Sequence, residues 1–285
     1  MSRPPGSKNK ATIAKELSFS NAVPNIVTNE TDEEIQIRLK RNQEIMEVMV
    51  KNLCERHSPS LIISGPPGLG KTYTAQRIIK LYDPNERKTA IRKGFTRATG
   101  LFKTLYNYRR KGNVIVFDDC DNVFLDAVAL NLLKSACDST ERRRIFWGAE
   151  SKMTDSTGTL IPNLFDFNGS IIFITNVDFD RAIAERHRLA PHFQALISRS
   201  NYINLDIKTT RDYLIKMKQL IDDGMLADRG LSDAQVKLVW FFINKHQNEL
   251  RELSLRMAIR IGDFIRNYPK EWANMARVTC FKSNT

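Results

Sequence analysis

Short apolar runs alternate with amphipathic stretches through the middle of this chain. Each run predicts a β-strand, and the runs lie at 61–64, 89–91, 114–117, 145–147 and 171–175. The stretches between them repeat apolar residues at helical spacing and predict helices at 72–81, 101–110 and 127–137. Strands that alternate with helices are typical of a parallel sheet covered on both faces. We therefore predict an α/β fold.

The pattern differs at the two ends of the chain. Residues 1–30 are polar and basic without apolar periodicity, and they predict a flexible tail. A helix is expected over 32–57, because Thr31 can cap it and apolar residues recur along one face. After about residue 206 only helical patterns remain, at 210–222, 233–246 and 249–266. The expected organisation is a tail over 1–30, an α/β domain over 31–205 and a small helical domain over 206–285.

Composition narrows the classes of function that the chain can have. Its 44 Lys and Arg exceed its 32 Asp and Glu, which gives a formal net charge of +12. Such an excess favours a polyanionic partner, usually nucleic acid, and the alternative is a basic protein without one. No apolar run is long enough to cross a bilayer, and no apolar segment of a secretory signal follows the basic N-terminus. We expect no membrane partner and a cytoplasmic location.

A glycine-rich loop lies between the first predicted strand and the helix that follows it. It fits the pattern G-x-x-x-x-G-K-[ST] and consists of Gly65, Pro66, Pro67, Gly68, Leu69, Gly70, Lys71 and Thr72. Glycines allow the backbone to wrap closely, so that its N–H groups point at phosphate oxygens, and the helix presents its positive N-terminal end. We expect Lys71 to neutralise the β- and γ-phosphates of ATP and the Thr72 hydroxyl to bind Mg²⁺. ATP and Mg²⁺ are therefore the predicted cofactors.

Two carboxylates stand at the end of the apolar run 114–117. Asp118 and Asp119 follow this run directly, and ligands of open α/β sheets bind at the carboxyl ends of the strands. We expect Asp118 to hold Mg²⁺ and Asp119 to orient and polarise the attacking water. Asp121 is a weaker alternative for the second role.

The glycine-rich loop and the paired carboxylates together resemble the two Walker elements of the AAA+ ATPases, a branch of the P-loop NTPases. The resemblance covers roughly residues 33–265 and is most like clamp-loader, initiator and helicase-loader modules, including bacteriophage ones. It implies a parallel-sheet P-loop αβα core with a small C-terminal helical lid. It also implies ATP at the subunit interfaces of a homo-oligomeric ring or arc, such as a hexamer. The family usually has Asp-Glu where this chain has Asp118-Asp119, so the resemblance leaves fast or slow turnover open.

Two segments near the end of the α/β domain extend the resemblance. The apolar run that ends in Asn176 is similar to the sensor 1 strand, which implies that Asn176 positions the lytic water. The segment Ala-Leu-Ile-Ser-Arg-Ser at 195–200 resembles the ALxSR segment of clamp loaders and initiators. It implies that Arg199 is the arginine finger that reaches the ATP of a neighbouring subunit. Nearby alternatives for this role are Arg181, Arg186 and Arg188.

A third segment, at 253–260, is similar to the sensor 2 helix of the lid. It implies that Arg256 contacts the phosphates within the same subunit, with Arg251 as the alternative.

Several basic and aromatic residues are candidates for nucleic-acid contact. The segment 92–100 occupies the position of the AAA+ pore loop and offers Lys93, Phe95 and Arg97. In the tail, a sequence that partly resembles an AT-hook contains Arg3, Lys8 and Lys10. The polar insert 150–169 predicts a β-hairpin with a turn at 155–158.

The leading hypothesis is an ATP-hydrolysing AAA+ protein that acts on DNA or on a replication or recombination complex, as a loader, remodeller or motor. Two alternatives stay open. One is a protein-remodelling chaperone, in which Phe95 grips a polypeptide client. The other is an ATP-binding switch with little turnover, suggested by Asp119. A bacteriophage origin would place the protein in the host cytoplasm.

Overall fold

The computed structural model describes residues 29–149, 152–155, 157–205, 207 and 209–282. These residues form two compact units. Unit 1 consists of Ile45–Gly65 and Lys71–Leu205. Unit 2 consists of Pro66–Gly70 together with the described parts of 29–44 and 206–285.

All strands among the described residues belong to unit 1. In chain order they are β1 (Ser60–Ser64), β2 (Thr89–Lys93), β3 (Val114–Asp118), β4 (Arg144–Phe146), β5 (Met153–Thr154), β6 (Leu160–Ile161), β7 (Leu164–Asp166), β8 (Ser170–Thr175) and β9 (Asn201–Asn204). Five of them form a parallel sheet in the order β2-β3-β8-β1-β9. The prediction of an α/β fold with a parallel sheet is confirmed.

Helices precede, separate and follow these strands along the described chain. In chain order they are α1 (Asp32–Cys54), α2 (Lys71–Tyr82), α3 (Ala98–Asn107), α4 (Ala127–Ala136), α5 (Phe179–Ala184), α6 (Ala190–Ile197), α7 (Thr210–Asp222), α8 (Asp233–Lys245), α9 (Leu255–Asn267) and α10 (Trp272–Cys280). A short 3-10 helix, Asp121–Leu125, follows β3. No helix among the described residues combines the length and apolar character needed to cross a bilayer.

Two apolar cores cover the two faces of the sheet. Alternate residues of β1 show how they form, because successive side chains of a strand point to opposite faces. Ile62 packs into a core with residues of α3, α4, α5 and α6. Leu61 and Ile63 pack into the other core, with residues of α2 and the C-terminal half of α1. The central strands are therefore buried along their whole length, which explains why they read as continuous apolar runs.

The strand predicted at 145–147 is not part of the parallel sheet. It forms β4, which pairs antiparallel with β7 in a separate two-stranded sheet. Only Ile145 of β4 is buried, whereas the strands inside the parallel sheet are covered on both faces. The fifth parallel strand is instead β9, which the apolar pattern did not predict. Its sequence Asn-Tyr-Ile-Asn has no apolar run, which an edge strand with β1 as its one neighbour in the sheet tolerates.

Several predicted helix ends also shift. The first helix ends at Cys54, and soon after it Arg56 has a left-handed φ of 72° that helix geometry does not allow. The helix predicted from residue 249 begins at Leu255, because Ser254 caps it by accepting a hydrogen bond from the Met257 amide at 3.2 Å. Helix α10 was not predicted, and the antiparallel β5–β6 pair forms the predicted hairpin.

Unit 2 has its own small core and a buried ion pair. The core contains Ile35, Leu39, Leu69, Ile207 and Tyr213. Beside it, Arg38 donates to the fully buried carboxylate of Asp212 at 3.0 Å. This pair joins α1 to α7 within the unit.

Candidate functional site

The glycine-rich loop between β1 and α2 has a backbone that requires glycine. Gly68 and Gly70 have left-handed φ values of 79° and 77°. A Cβ on Gly68 would lie 2.7 Å from Cβ of Ser254, which is closer than two carbon atoms can approach. The carbonyl of Gly68 also accepts a hydrogen bond from the Leu255 amide at 3.1 Å. These constraints hold the loop in one conformation within unit 2.

Lys71 and Asn176, which the sequence assigns to the phosphates and to the lytic water, lie together in unit 1. The buried ammonium of Lys71 donates to the Gly65 carbonyl at 2.6 Å and to Asn176 Oδ1 at 2.9 Å. Asn176 Nδ2 in turn donates to Asp119 Oδ1 at 2.8 Å. Asn176 therefore links the predicted phosphate-binding lysine to the predicted water-orienting carboxylate.

Asp119 has a left-handed backbone conformation, which is uncommon for residues other than glycine. Its φ is 53°, and its amide donates to the carbonyl of Ile174 at 3.0 Å. A left-handed non-glycine residue costs about 1–3 kcal/mol and is concentrated at functional sites. The short carboxylate of Asp119 thus reaches Asn176 from a strained turn at the end of β3.

Thr72 and Asp118, the two predicted Mg²⁺ ligands, are hydrogen-bonded to each other. The Thr72 hydroxyl donates to Asp118 Oδ1 at 2.7 Å, and Asp118 is buried at the end of β3. A hydroxyl and a carboxylate are oxygen donors of the kind that Mg²⁺ prefers. The other oxygen, Asp118 Oδ2, contacts the ammonium of Lys93 at 2.9 Å. A cation already lies against this carboxylate, so the site accepts positive charge.

Thr72 and Asp118 are the two candidate metal ligands at this position. Within the described ranges, no group of three His, Cys, Asp or Glu side chains is arranged to hold a metal ion. Mg²⁺ commonly binds through one or two carboxylates together with substrate phosphates. Thr72 and Asp118 fit that second arrangement.

Asp121 is a third carboxylate close to the end of β3, and its side chain is partly buried. It accepts a hydrogen bond from the Thr175 hydroxyl. Burial raises the pKa of Asp121, and the nearby charge of Asp119 acts in the same direction. Asp121 is therefore a second acidic group close to Asp119. The sequence offered it only as the weaker alternative to Asp119 for orienting water.

Arg199 lies at the amino-terminal end of the parallel strands, whereas Asp118 lies at their carboxyl-terminal end. Its carbonyl accepts from Ser60 Oγ, in the first residue of β1, at 3.2 Å. Its guanidinium donates to the Ala195 carbonyl at 2.8 Å and lies 3.6 Å from the carboxylate of Asp138. The glycine-rich loop begins after Ser64, and four residue steps of about 3.3 Å place that point about 13 Å away along β1.

An open cavity lies next to Arg199 at this end of the strands. Its volume is about 600 Å³. Its basic lining residues are Arg56, Lys111, Arg143 and Arg199. Arg143 is committed to the fold, since it donates to the carbonyls of Ala136 and Gly169 at 2.8 Å each. Arg199 therefore faces a space large enough to admit a group from outside the chain.

The other predicted arginines occupy different places. Arg181, in α5, lies 4.0 Å from the carboxylate of Glu185, and both Arg186 and Arg188 are exposed after that helix. Arg256 is exposed in the first turn of α9, next to Leu255, whose amide binds Gly68 within unit 2. Arg251 instead contacts the Phe281 carbonyl.

The candidates for nucleic-acid contact are only partly described. Arg3, Lys8 and Lys10 lie outside the described residues. Lys93 is the last residue of β2, and its ammonium binds Asp118 rather than pointing freely outwards. Phe95 is 71% exposed, and the guanidinium of Arg97 lies 6.0 Å from the centre of its ring. Phe95 and Arg97 therefore present an aromatic and a cation on the surface.

Two residues of the site were not assigned these positions from the sequence. Lys93 was expected to contact nucleic acid, and Asp138, the partner of Arg199, was not singled out. The pairing of Lys93 with Asp118 follows from the parallel register, in which these two residues lie side by side. Nothing in the sequence signals the Asp138 contact, because it depends on where α4 and α6 end.

Comparisons with solved structures give only distant likenesses. RuvB of Thermotoga maritima, a Holliday junction branch migration motor, is 17% identical with a TM-score of 0.46, and the match covers 80% of this chain and 61% of RuvB. NtrX of Brucella abortus in complex with ATP is 13% identical with a TM-score of 0.42, over 90% of this chain and 56% of NtrX. The chain thus spans about three fifths of the length of these structures. No family model matches the chain.

A comparison with curated proteins gives a much stronger likeness. The uncharacterized 36.7 kDa protein of the nrdC-mobD intergenic region of Enterobacteria phage T4 is 35% identical over 249 residues. The match covers 87% of this chain and 76% of the phage protein. Identity at this level over most of both chains establishes common descent. The chain therefore belongs to the family of this phage T4 protein.

Proposed function

We propose that this protein is an AAA+ ATPase that binds ATP with Mg²⁺ at the loop between β1 and α2 and hydrolyses it. The observation that carries the proposal is the connected set of Lys71, Asn176 and Asp119 beside the Thr72–Asp118 pair. It unites, in unit 1, a cation for phosphate, two oxygen ligands for a metal and a carboxylate for water.

Each residue has a distinct role under this proposal. Lys71 exchanges its present acceptors for phosphate oxygens, since the same ammonium hydrogen bonds satisfy either. Thr72 and Asp118 hold Mg²⁺, which when bound neutralises charge that develops on the transferring phosphoryl group. Asn176 orients Asp119, and Asp119 accepts a hydrogen bond from the attacking water. Arg256 is proposed as the sensor 2 arginine.

We propose that Arg199 acts on the nucleotide of a neighbouring copy of the chain. It lies about 13 Å along β1 from the start of its own glycine-rich loop, far beyond hydrogen-bond distance of about 3 Å. An arginine supplied in trans stabilises the transition state and makes turnover depend on assembly. A ring or arc of identical subunits, such as a hexamer, provides one such contact at each interface.

DNA is the proposed partner. The net charge of +12 favours a polyanion, and the exposed Phe95–Arg97 pair can stack on a base and contact a phosphate. The work done on DNA would be that of a loader, remodeller or motor, and the phage relative supports a location in the host cytoplasm.

A switch with little turnover is the second candidate, and one observation favours it. Asp119 is shorter than the glutamate usual at this position of the resembled family, and it is engaged by Asn176. Because the Asn176 amide occupies this carboxylate, Asp119 would activate water slowly. The protein would then bind nucleotide with little turnover.

The test is the ATPase rate with and without single- and double-stranded DNA. We expect the wild-type rate to rise with DNA, and we expect salt to reduce the stimulation because phosphate contacts release counterions. Lys71→Ala should lose nucleotide affinity, and Asp119→Asn should keep affinity and lose turnover. Nucleotide binding without turnover in the wild type supports the switch. Stimulation by an unfolded polypeptide but not by DNA contradicts the DNA proposal.

A further inference from the structure

Lys93 makes a contact that the proposed chemistry does not use. It ends β2, and the parallel register places it beside Asp118 at the end of β3. Its ammonium lies 2.9 Å from Asp118 Oδ2, while Oδ1 accepts the Thr72 hydroxyl at 2.7 Å. Both oxygens of the proposed metal-binding carboxylate are therefore engaged, one of them by a full positive charge.

We propose that Lys93 is the internal cation of the metal position and that Mg²⁺ arriving with nucleotide displaces it. The proposal rests on the proposed function. A buried carboxylate is strongly unfavourable without a counter-charge, so Asp118 needs a cation when no metal is bound. An ammonium is not a metal ligand, and it repels a second cation only about 3 Å away. Lys93 and Mg²⁺ are therefore alternatives at this carboxylate.

The surroundings allow this exchange without opening the core. The side chain of Lys93 is 60% exposed although Asp118 is buried, so the ammonium approaches from solvent and can withdraw towards it. Gly94 follows with a left-handed φ of 81°, and a Cβ there would meet no atom within 4 Å. The space around this part of the segment permits a new rotamer of Lys93.

The backbone on either side of Lys93 is tied to the segment after β3. The Cys120 thiol donates to the Arg92 carbonyl at 3.2 Å, and the Thr96 amide donates to Asn122 Oδ1 at 3.2 Å. Exchange at Asp118 thus moves a side chain rather than the whole segment. Lys93 and the exposed Phe95 belong to the same segment, so release of the ammonium would add an unneutralised positive charge to the segment proposed to contact DNA.

The test measures the affinity of a fluorescent ATP analogue as free Mg²⁺ is varied. Lys93→Gln should reach its half-maximal gain in affinity at roughly three- to tenfold lower Mg²⁺ than the wild type, the size of effect that one partly exposed ion pair gives. Lys93→Arg keeps the cation and should stay near the wild type. Lys88→Gln is the matched control, because Lys88 is an exposed lysine immediately before the other end of β2.

A second measurement follows Lys93 directly. Amine labelling with mass spectrometry should show faster modification of Lys93 when nucleotide and Mg²⁺ are both added, and no change with nucleotide and EDTA. Weaker nucleotide binding by Lys93→Gln at every Mg²⁺ concentration would make Lys93 a nucleotide ligand and overturn the proposal. A midpoint equal to that of Lys88→Gln overturns it as well. Absence of nucleotide affinity in the wild type contradicts the proposed function itself, and the inference with it.

Discussion

Removing the guanidinium of Arg199 tests whether the proposed ATP site is shared between subunits. We expect Arg199→Ala to bind nucleotide as the wild type does, because Arg199 lies about 13 Å along β1 from the start of its own loop. Turnover should fall by about 10³-fold or more, the usual contribution of an arginine finger.

The substitution should leave the fold nearly intact. Arg199 and its partner Asp138 are each about one third exposed, with a nitrogen–oxygen distance of 3.6 Å. Loss of such a pair costs less than about 1 kcal/mol. The matched control is Arg110→Ala, which removes an exposed arginine elsewhere in unit 1 and should retain the wild-type rate.

Mixing two inactive variants gives the decisive number. Under the proposed function, an interface is active when one chain supplies Asp119 and its neighbour supplies Arg199. In an equal, random mixture of Arg199→Ala and Asp119→Asn, about one quarter of the interfaces meet both conditions. The mixture should therefore recover about one quarter of the wild-type ATPase rate, measured by phosphate release.

Three results would refute the reasoning. A mixture no more active than the average of its two components would mean that Arg199 does not act across an interface. A large fall in the nucleotide affinity of Arg199→Ala would mean that it acts within its own chain. Recovery with Arg186→Ala or Arg188→Ala, instead of Arg199→Ala, would assign the role to one of those residues.

The remaining predictions concern the supports of the site. Gly68→Ala should lower stability by about 2–4 kcal/mol in thermal or urea unfolding, because it combines a left-handed φ with a clash against Ser254; unchanged stability would contradict the loop geometry. Asp212→Ala should cost about 3 kcal/mol, since it removes a partner of the buried pair with Arg38, whereas its control Asp222→Ala removes an exposed pair and should cost less than about 1 kcal/mol. Burial raises the pKa of Asp121 above its unfolded value, so its ionisation opposes folding, and the stability of the wild type should decline relative to Asp121→Asn as pH rises above about 4. A difference between these two proteins that stays constant with pH would show that Asp121 titrates normally.

The sequence predicted the buried strands well because burial on both faces leaves a strong signal. β1, β3 and β8 are continuous apolar runs, and each ends in residues of the site, so their chemistry could be placed with them. The edge strand β9 gave no such signal, since its polar residues are tolerated beside a single neighbour. Residues 145–147 gave a false one, because an apolar run does not state which sheet it joins.

Side-chain partners were harder to predict than elements. The Lys71–Asn176–Asp119 connection joins residues far apart in sequence, and its members were each predicted for the same nucleotide. Lys93 was assigned to nucleic acid because its charge is visible in the sequence. The strand register that places it beside Asp118 is not. The left-handed conformation of Asp119 was not predicted either, because glycine is the residue that usually marks such a turn and none stands at this position.

Arg199 and Lys71 lie at opposite ends of the parallel strands, and this placement affects how the protein responds to dilution. Under the proposed function, a single chain lacks the cation that completes its own site. Specific activity would then fall when the protein is diluted below the concentration at which copies associate, while nucleotide affinity would not. The ATPase rate per chain would then report the fraction of chains that are assembled, and dilute protein would be inactive.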